Sequence, residues 1–169
     1  MALTKERMDK YQWIGPLLEV TFGFYVKADS NIVIRSLDDA KKVVSIGVFR
    51  NDVREKFLTQ ESSTNLDLAD DNVTNFKKLM VGRFVMYASA NTGIKFEAER
   101  AGYQLSDVKL AYPFMKNQLF IAFSKSIDAQ TYAEWDSAFE AMKKDGTFKT
   151  IFKKYYPDLA LPGPSLAKF

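Results

Sequence analysis

The chain contains no cysteine and no histidine among its 169 residues. Disulfide bridges, thiolate nucleophiles, serine-histidine-aspartate triads and histidine-bearing zinc sites are thereby excluded. Acid-base chemistry is left to aspartate, glutamate, lysine and tyrosine, and no pair of these is placed convincingly for catalysis, so the sequence does not read as an enzyme or as the holder of a metal or cofactor. No apolar stretch reaches the roughly 18 residues of a membrane span, and Met1 to Met8 is polar and charged without the apolar centre of a signal peptide. A dominant charge is lacking too: 24 basic against 21 acidic residues leave +3, interleaved along the chain. That balance demands neither nucleic acid nor an acidic membrane as partner. What is present, 47% apolar and 27% charged residues, belongs to a folded domain with a real core rather than to a disordered chain.

The chain is organised around Val43 to Leu58, VVSIGVFRNDVREKFL. A continuous apolar run (Val43, Val44, Ile46, Val48, Phe49) reads as a buried strand. After the polar turn Arg50-Asn51-Asp52 the spacing becomes helical at Val53, Phe57 and Leu58. In an open α/β sheet the carboxyl end of such a strand faces the ligand crevice, and the free N–H groups of the following helix suit an anionic group.

The same alternation extends in both directions. Leu3 to Lys10 reads as a short helix capped by Thr4, Tyr11 to Leu18 as a short strand broken at Gly15-Pro16, and Val20 to Val26 as a strand. Ser36 with Asp39 has the form of a capping box before a short helix. Strands are expected at Asn65 to Leu68, Phe84 to Ala88, Val108 to Tyr112 and Leu119 to Phe123. Helices are expected at Val73 to Met80, Thr92 to Ala101, Thr131 to Lys144 and from Thr147 to the stop at Pro157. Short strands alternating with helices imply βα units and a mostly parallel sheet. Leu159 to Phe169, carrying Pro162-Gly163-Pro164, reads as an extended or mobile tail.

Four stretches carry a family resemblance: LTKER at Leu3 to Arg7 with YQWIGP at Tyr11 to Pro16; SLDD before Ile46-Gly47-Val48; NFKKLMVGR at Asn75 to Arg83; and WDSAFEAMKKDGTFKTIFKKY at Trp135 to Tyr155. Together they make the chain resemble the type II periplasmic solute-binding proteins of family 3, which serve ABC importers of polar amino acids. The resemblance implies an α/β fold of the periplasmic-binding-protein-like II class, with one complete lobe on a mostly parallel sheet and an incomplete second lobe. Residues 1–26 and 117–158 would be the remnant of lobe one with the hinge strands Val20 to Val26 and Leu119 to Phe123, residues 27–116 lobe two, and 159–169 the tail. The family's first third, two βα units of lobe one, would have no counterpart here. Apolar faces at Trp13, Trp135, Phe139, Phe148 and Phe152 would then lack part of their cover, from which self-association as a dimer, by exchange or packing of lobe-one remnants, is expected.

The resemblance also implies site residues. Arg7 holds the position of the arginine that clamps a ligand α-carboxylate, although it also reads as a surface arginine and Ala2 replaces the usual serine five residues before it. The lobe-two turn is Arg50-Asn51-Asp52-Val53, where hydroxyls are gone and an acid stands at the anion site; Asp52 reads equally as a cap of its own helix. Val85 and Ala90 stand where two family acids are expected. A cationic or non-amino-acid solute contacting Asp52, with Arg50, Asn51 and Tyr87 nearby, therefore fits better than a zwitterion. Tyr87 and Ser89 would face the same crevice, with core packing the other role for Tyr87. The implied function is extracytoplasmic, periplasmic solute binding for an ABC-type amino-acid or polar-solute transport system, with a membrane permease as partner and the ligand held between lobes. The alternative is a non-binding, self-associating structural protein on the same fold.

Overall fold

The computed structural model describes residues 1, 3 and 5–164. Its elements run α1 (Lys5–Met8), β1 (Tyr11–Lys27), α2 (Leu37–Lys41), β2 (Ile46–Phe49), α3 (Val53–Gln60), β3 (Leu66–Ala69), α4 (Asn72–Met80), β4 (Met86–Ala90), α5 (Ile94–Ala101), β5 (Val108–Ser124), α6 (Ala129–Asp145) and α7 (Thr147–Tyr155). The strands form one sheet in the order β3-β2-β4-β1-β5. β2 is parallel to both β3 and β4, each reached through a crossover helix, whereas β1 is antiparallel to β4. The sheet is therefore mixed rather than uniformly parallel.

The chain divides into two compact units, one of Met1–Val20 with the chain from Asn117 onward, the other of Thr21–Lys116. In the second unit the sheet is covered on both faces, and the two-residue period of its strands sorts the core. Phe24, Val26, Ile46, Val48, Met86 and Ala88 point to the side of α2 and α3, against Ala40, Phe57 and Leu58. Tyr25 and Tyr87 point to the side of α4 and α5, against Phe76, Leu79, Ile94 and Ala98. Removing these side chains from water, at about 25 cal/mol per Å² of apolar surface, is what holds the unit together.

The first unit is built from aromatic contacts. Trp13 meets Phe120 edge-on with centroids 6.1 Å apart, and its Nε1 donates to the Met8 carbonyl at 3.1 Å. The Tyr132 hydroxyl donates to the Trp13 carbonyl at 2.9 Å, tying α6 to β1. Phe139 and Phe148, 5.3 Å apart, pair α6 with α7 across Gly146, whose φ of 85° makes the sharp corner that a side chain would strain.

Several expected boundaries shift. The two strands expected within residues 11–26 are one strand of 17 residues, because aromatic and β-branched residues on both sides of Gly15-Pro16 carry the pairing through that dipeptide. The strands expected at Val108 and Leu119 are likewise one, β5; it lies at the sheet edge, where the missing N–H of Pro113 leaves no inner ladder bond unmade. Val43 and Val44 precede β2, and Val44 is 88% exposed, so the apolar run is longer than the buried strand. Phe84 is buried but precedes β4. Ser36 caps α2 as expected, its Oγ accepting from the Asp39 N–H at 3.1 Å, while the Asp39 carboxylate reaches back to the Arg35 N–H rather than closing a strict box. The expected cap Thr4, the substituted position Ala2 and tail residues 165–169 lie outside the described residues. At the near end of the tail, Gln118 Nε2 donates to the Pro164 carbonyl at 3.2 Å.

Candidate functional site

β2 ends at Phe49, and the next three residues turn the chain into α3. Asn51 makes the turn in the left-handed region at φ 58°, which asparagine tolerates better than most side chains. Arg50 continues the ladder, its N–H donating to the Ala69 carbonyl at 2.9 Å, and its Nε donates to Asp70 Oδ1 at 2.8 Å on the exposed rim. Asp52 is the N-cap of α3: its Oδ1 accepts from the Arg54 N–H at 2.9 Å. The Glu55 carboxylate, one turn along, accepts from the Asn51 N–H.

The centre of the site is Arg54, only 5% exposed. Its Nε donates to Asp52 Oδ1 at 2.6 Å, Nη1 to the Ala88 carbonyl at 3.2 Å, and Nη2 to Asn72 Oδ1 at 3.3 Å. Burial works against the guanidinium's charge, and the hydrogen bond and charge of Asp52, together with the nearby Tyr87 and Glu97, more than offset it, so the cation is held more firmly than in water. Asn72 Oδ1 also accepts from the Tyr87 hydroxyl at 2.9 Å. Burial, reinforced by the nearby Glu97 charge, raises the Tyr87 phenol, which stays protonated as a donor. A continuous polar chain thus runs from Asp52 through Arg54 and Asn72 to Tyr87, joining the start of α3 and the start of α4 to β4.

Beside it, the buried Ser89 hydroxyl donates to Glu97 Oε2 at 2.7 Å. Burial pushes the Glu97 carboxyl above its ordinary 4.5, with Ser89 pulling the other way. Among the described residues no group of three or more acidic side chains is placed to hold a metal ion.

Of the residues picked from the sequence, Arg50, Asn51 and Asp52 share one turn, and Tyr87 connects to it through Asn72 and Arg54. Tyr87 and Ser89 are not crevice-facing: both are fully buried, against α4 and α5. Arg7 stands on α1 in the first unit and is exposed. Sequence reasoning missed Arg54, Asn72 and Glu97. The signal for two of them was available: Arg54 lies four residues before the buried Leu58, and Glu97 falls between Ile94 and Ala98, so each occupies an apolar-face position of its helix.

No protein-family model matches the chain. It is 24% identical over 165 residues to a curated relative, the probable amino-acid-binding protein YxeM of Bacillus subtilis (strain 168); the match covers 92% of this chain and 59% of that protein. The P235GK mutant of ArgBP from T. maritima superposes with a TM-score of 0.74 at 16% identity, covering 94% of this chain and 67% of that one. An ancestral arginine-binding protein bound to arginine gives 0.70 at 24% identity, covering 92% and 69%. The fold is that of the type II periplasmic binding proteins, as the resemblance implied, and the chain spans about 59% of the length of the curated relative.

Proposed function

We propose that the chain is an extracytoplasmic solute-binding protein, or part of one, serving an ABC-type transport system for amino acids or other small polar solutes. The observation that supports this reading best is the β2–α3 turn. It places Arg50, Asn51 and Asp52 at the carboxyl end of a parallel strand, on a polar network buried at that same end of the sheet, in a chain similar to amino-acid-binding proteins. In this reading Asp52, with Arg50 and Asn51, meets the solute on the second unit, and a membrane permease receives the cargo. A periplasmic location follows from the same reading.

Thermal melting of the full chain against a panel of amino acids and polyamines tests it. A midpoint raised by one solute supports binding, at about 2.7 kcal/mol for a solute at a hundred times its dissociation constant. Indifference to every member of the panel speaks against it.

A second reading, self-association, is favoured by the apolar side chains that the first unit leaves in solvent. Trp135, Ile151 and Tyr155 on α6 and α7 are 52%, 45% and 68% exposed.

A further inference from the structure

We propose that the Tyr87 hydroxyl is a one-proton relay for which Asn72 and Glu97 compete, so that the protonation state of Glu97 on α5 decides how firmly Arg54 is held on α3. A phenol carries one proton and can serve one strong acceptor at a time. Here it donates to Asn72 Oδ1 at 2.9 Å, and the same oxygen takes Arg54 Nη2 at 3.3 Å. The Glu97 carboxyl and the Ser89 hydroxyl are both close enough to Tyr87 to interact with that hydroxyl. Ser89 is already engaged with Glu97 Oε2 at 2.7 Å. A buried carboxylate with a single neutral donor is poorly served, and Tyr87 is the further donor within its reach.

The surroundings of the carboxyl make this competition depend on pH. Facing Glu97 are Tyr87 and Ser89 from β4, Tyr25 from β1, Asp71 ahead of α4 and Arg54 from α3. The charged neighbours on its own helix, Lys95, Glu99 and Arg100, are exposed. Burial and the Asp71 charge raise the carboxyl, Ser89, Tyr87 and Arg54 lower it, and burial prevails, so Glu97 ionises at a higher pH than an exposed glutamate does. The Tyr87 phenol keeps its proton throughout. With Glu97 protonated, that proton serves Asn72. Once Glu97 ionises it draws the proton to itself, and the Asn72 oxygen is left against a phenol lone pair. The amide relieves the clash by turning its NH2 toward Tyr87, which removes the acceptor from Arg54 Nη2. Arg54 then keeps Asp52 Oδ1 and the Ala88 carbonyl, and the tie between α3 and α4 is released. Because Arg54 braces the β2–α3 turn from beneath, the order of that turn falls as pH rises.

Nuclear magnetic resonance of the full, isotope-labelled chain between about pH 4 and 9 tests the relay, reading the Glu97 Cδ, the Asn72 side-chain amide and the Arg54 Nε resonances. The Asn72 and Arg54 signals are expected to move with the midpoint of the Glu97 titration. Glu97→Gln, which cannot ionise, is expected to abolish both movements. Tyr87→Phe removes the shared proton and leaves Glu97 to titrate; Asn72 and Arg54 are then expected to stop following it. An Arg54 response that survives Tyr87→Phe would show attraction between the two charges acting without the hydroxyl, and overturns the proposal. A Glu97 that does not titrate in this range, or an Asn72 amide unmoved while it does, also overturns it. If Tyr87→Phe does not fold, Asn72→Ala takes its place: loss of the Arg54 response supports the relay and persistence overturns it. If neither variant folds, the native chain and Glu97→Gln decide it by whether the Asn72 movement is present in the first and lost in the second. The readout needs no solute, so its result is separate from that of the solute panel.

Discussion

Ser89 and Glu97 form a hydrogen bond of 2.7 Å in the interior of the second unit, with the hydroxyl as donor and the carboxylate as acceptor. The pairing gives Glu97 one good partner, and burial still raises its pKa above the ordinary 4.5. The folded chain therefore binds this proton more tightly than the unfolded chain does. The stability Glu97 contributes is fully present below about 4.5, the unfolded value, and is lost as pH rises through the higher folded value. Urea midpoints measured from pH 4 to 8 should show this decline, and Glu97→Gln, which keeps an acceptor for Ser89 but cannot ionise, should flatten it. Ser89→Ala, which strands the carboxylate, should cost about 1–3 kcal/mol at neutral pH. A slope unchanged by Glu97→Gln would show that another group sets it.

Asn75 lies fully buried on α4, and neither its amide nitrogen nor its amide oxygen has a hydrogen-bond partner among the described residues. It follows Asn72 by one helical turn, on the face that carries Phe76 and Leu79 into the core. A buried amide without partners costs more than it contributes, so Asn75→Leu, close in size, should raise unfolding stability by about 1–2 kcal/mol. Denaturant unfolding with an unchanged m-value would read this cleanly. A loss of stability would instead reveal a bound water that the amide serves.

Gly47 sits in the middle of β2 with the Phe84 ring packed directly on its backbone, so that a Cβ there would overlap the ring. Phe84 is buried and its ring packs against Tyr87, which restricts its room to move. Gly47→Ala should therefore destabilise by about 1–3 kcal/mol or more, although alanine has no conformational objection to a strand. Gly47→Ala combined with Phe84→Leu should recover part of the loss; equal midpoints for the native chain and Gly47→Ala would mean the ring relocates freely.

The sequence makes β2, α3, α4 and α7 legible because each has a local signal: an apolar run, then a polar turn, then helical spacing closed by a cap. The long strands β1 and β5 are harder to read, since Gly15-Pro16 and Pro113 are local turn signals that pairing partners far along the chain overrule. At the candidate site, the Arg50-Asn51-Asp52 turn is visible as punctuation between strand and helix. What it encloses is not. Arg54 reads as a solvent-side arginine until Ala88 and Asn72, 34 and 18 residues away, supply its acceptors. Glu97 is hidden in the same way by Ser89. Polar residues on apolar faces are the cue, but the partner that makes such a residue tolerable comes from the tertiary fold.

Phe139, Phe148, Phe152 and Tyr156 form a ladder of ring contacts 5.3 to 6.0 Å apart along α6 and α7, which consumes the inward side of both helices. Trp135 contacts Phe123 at 5.6 Å, yet half its surface still meets water, and Ile151 and Tyr155 add to the exposed apolar area. Burying such area between two copies gains about 25 cal/mol per Å² before the cost of association, so a modest contact already favours a dimer at high concentration. Light scattering after size-exclusion chromatography should give a mass that rises toward twice 19.3 kDa with loading concentration. Trp135→Lys with Tyr155→Lys, both at exposed positions, should return it to the monomer without lowering the melting midpoint measured at low concentration. A monomeric native chain at every loading would remove the second reading and leave solute binding to stand or fall on the solute panel.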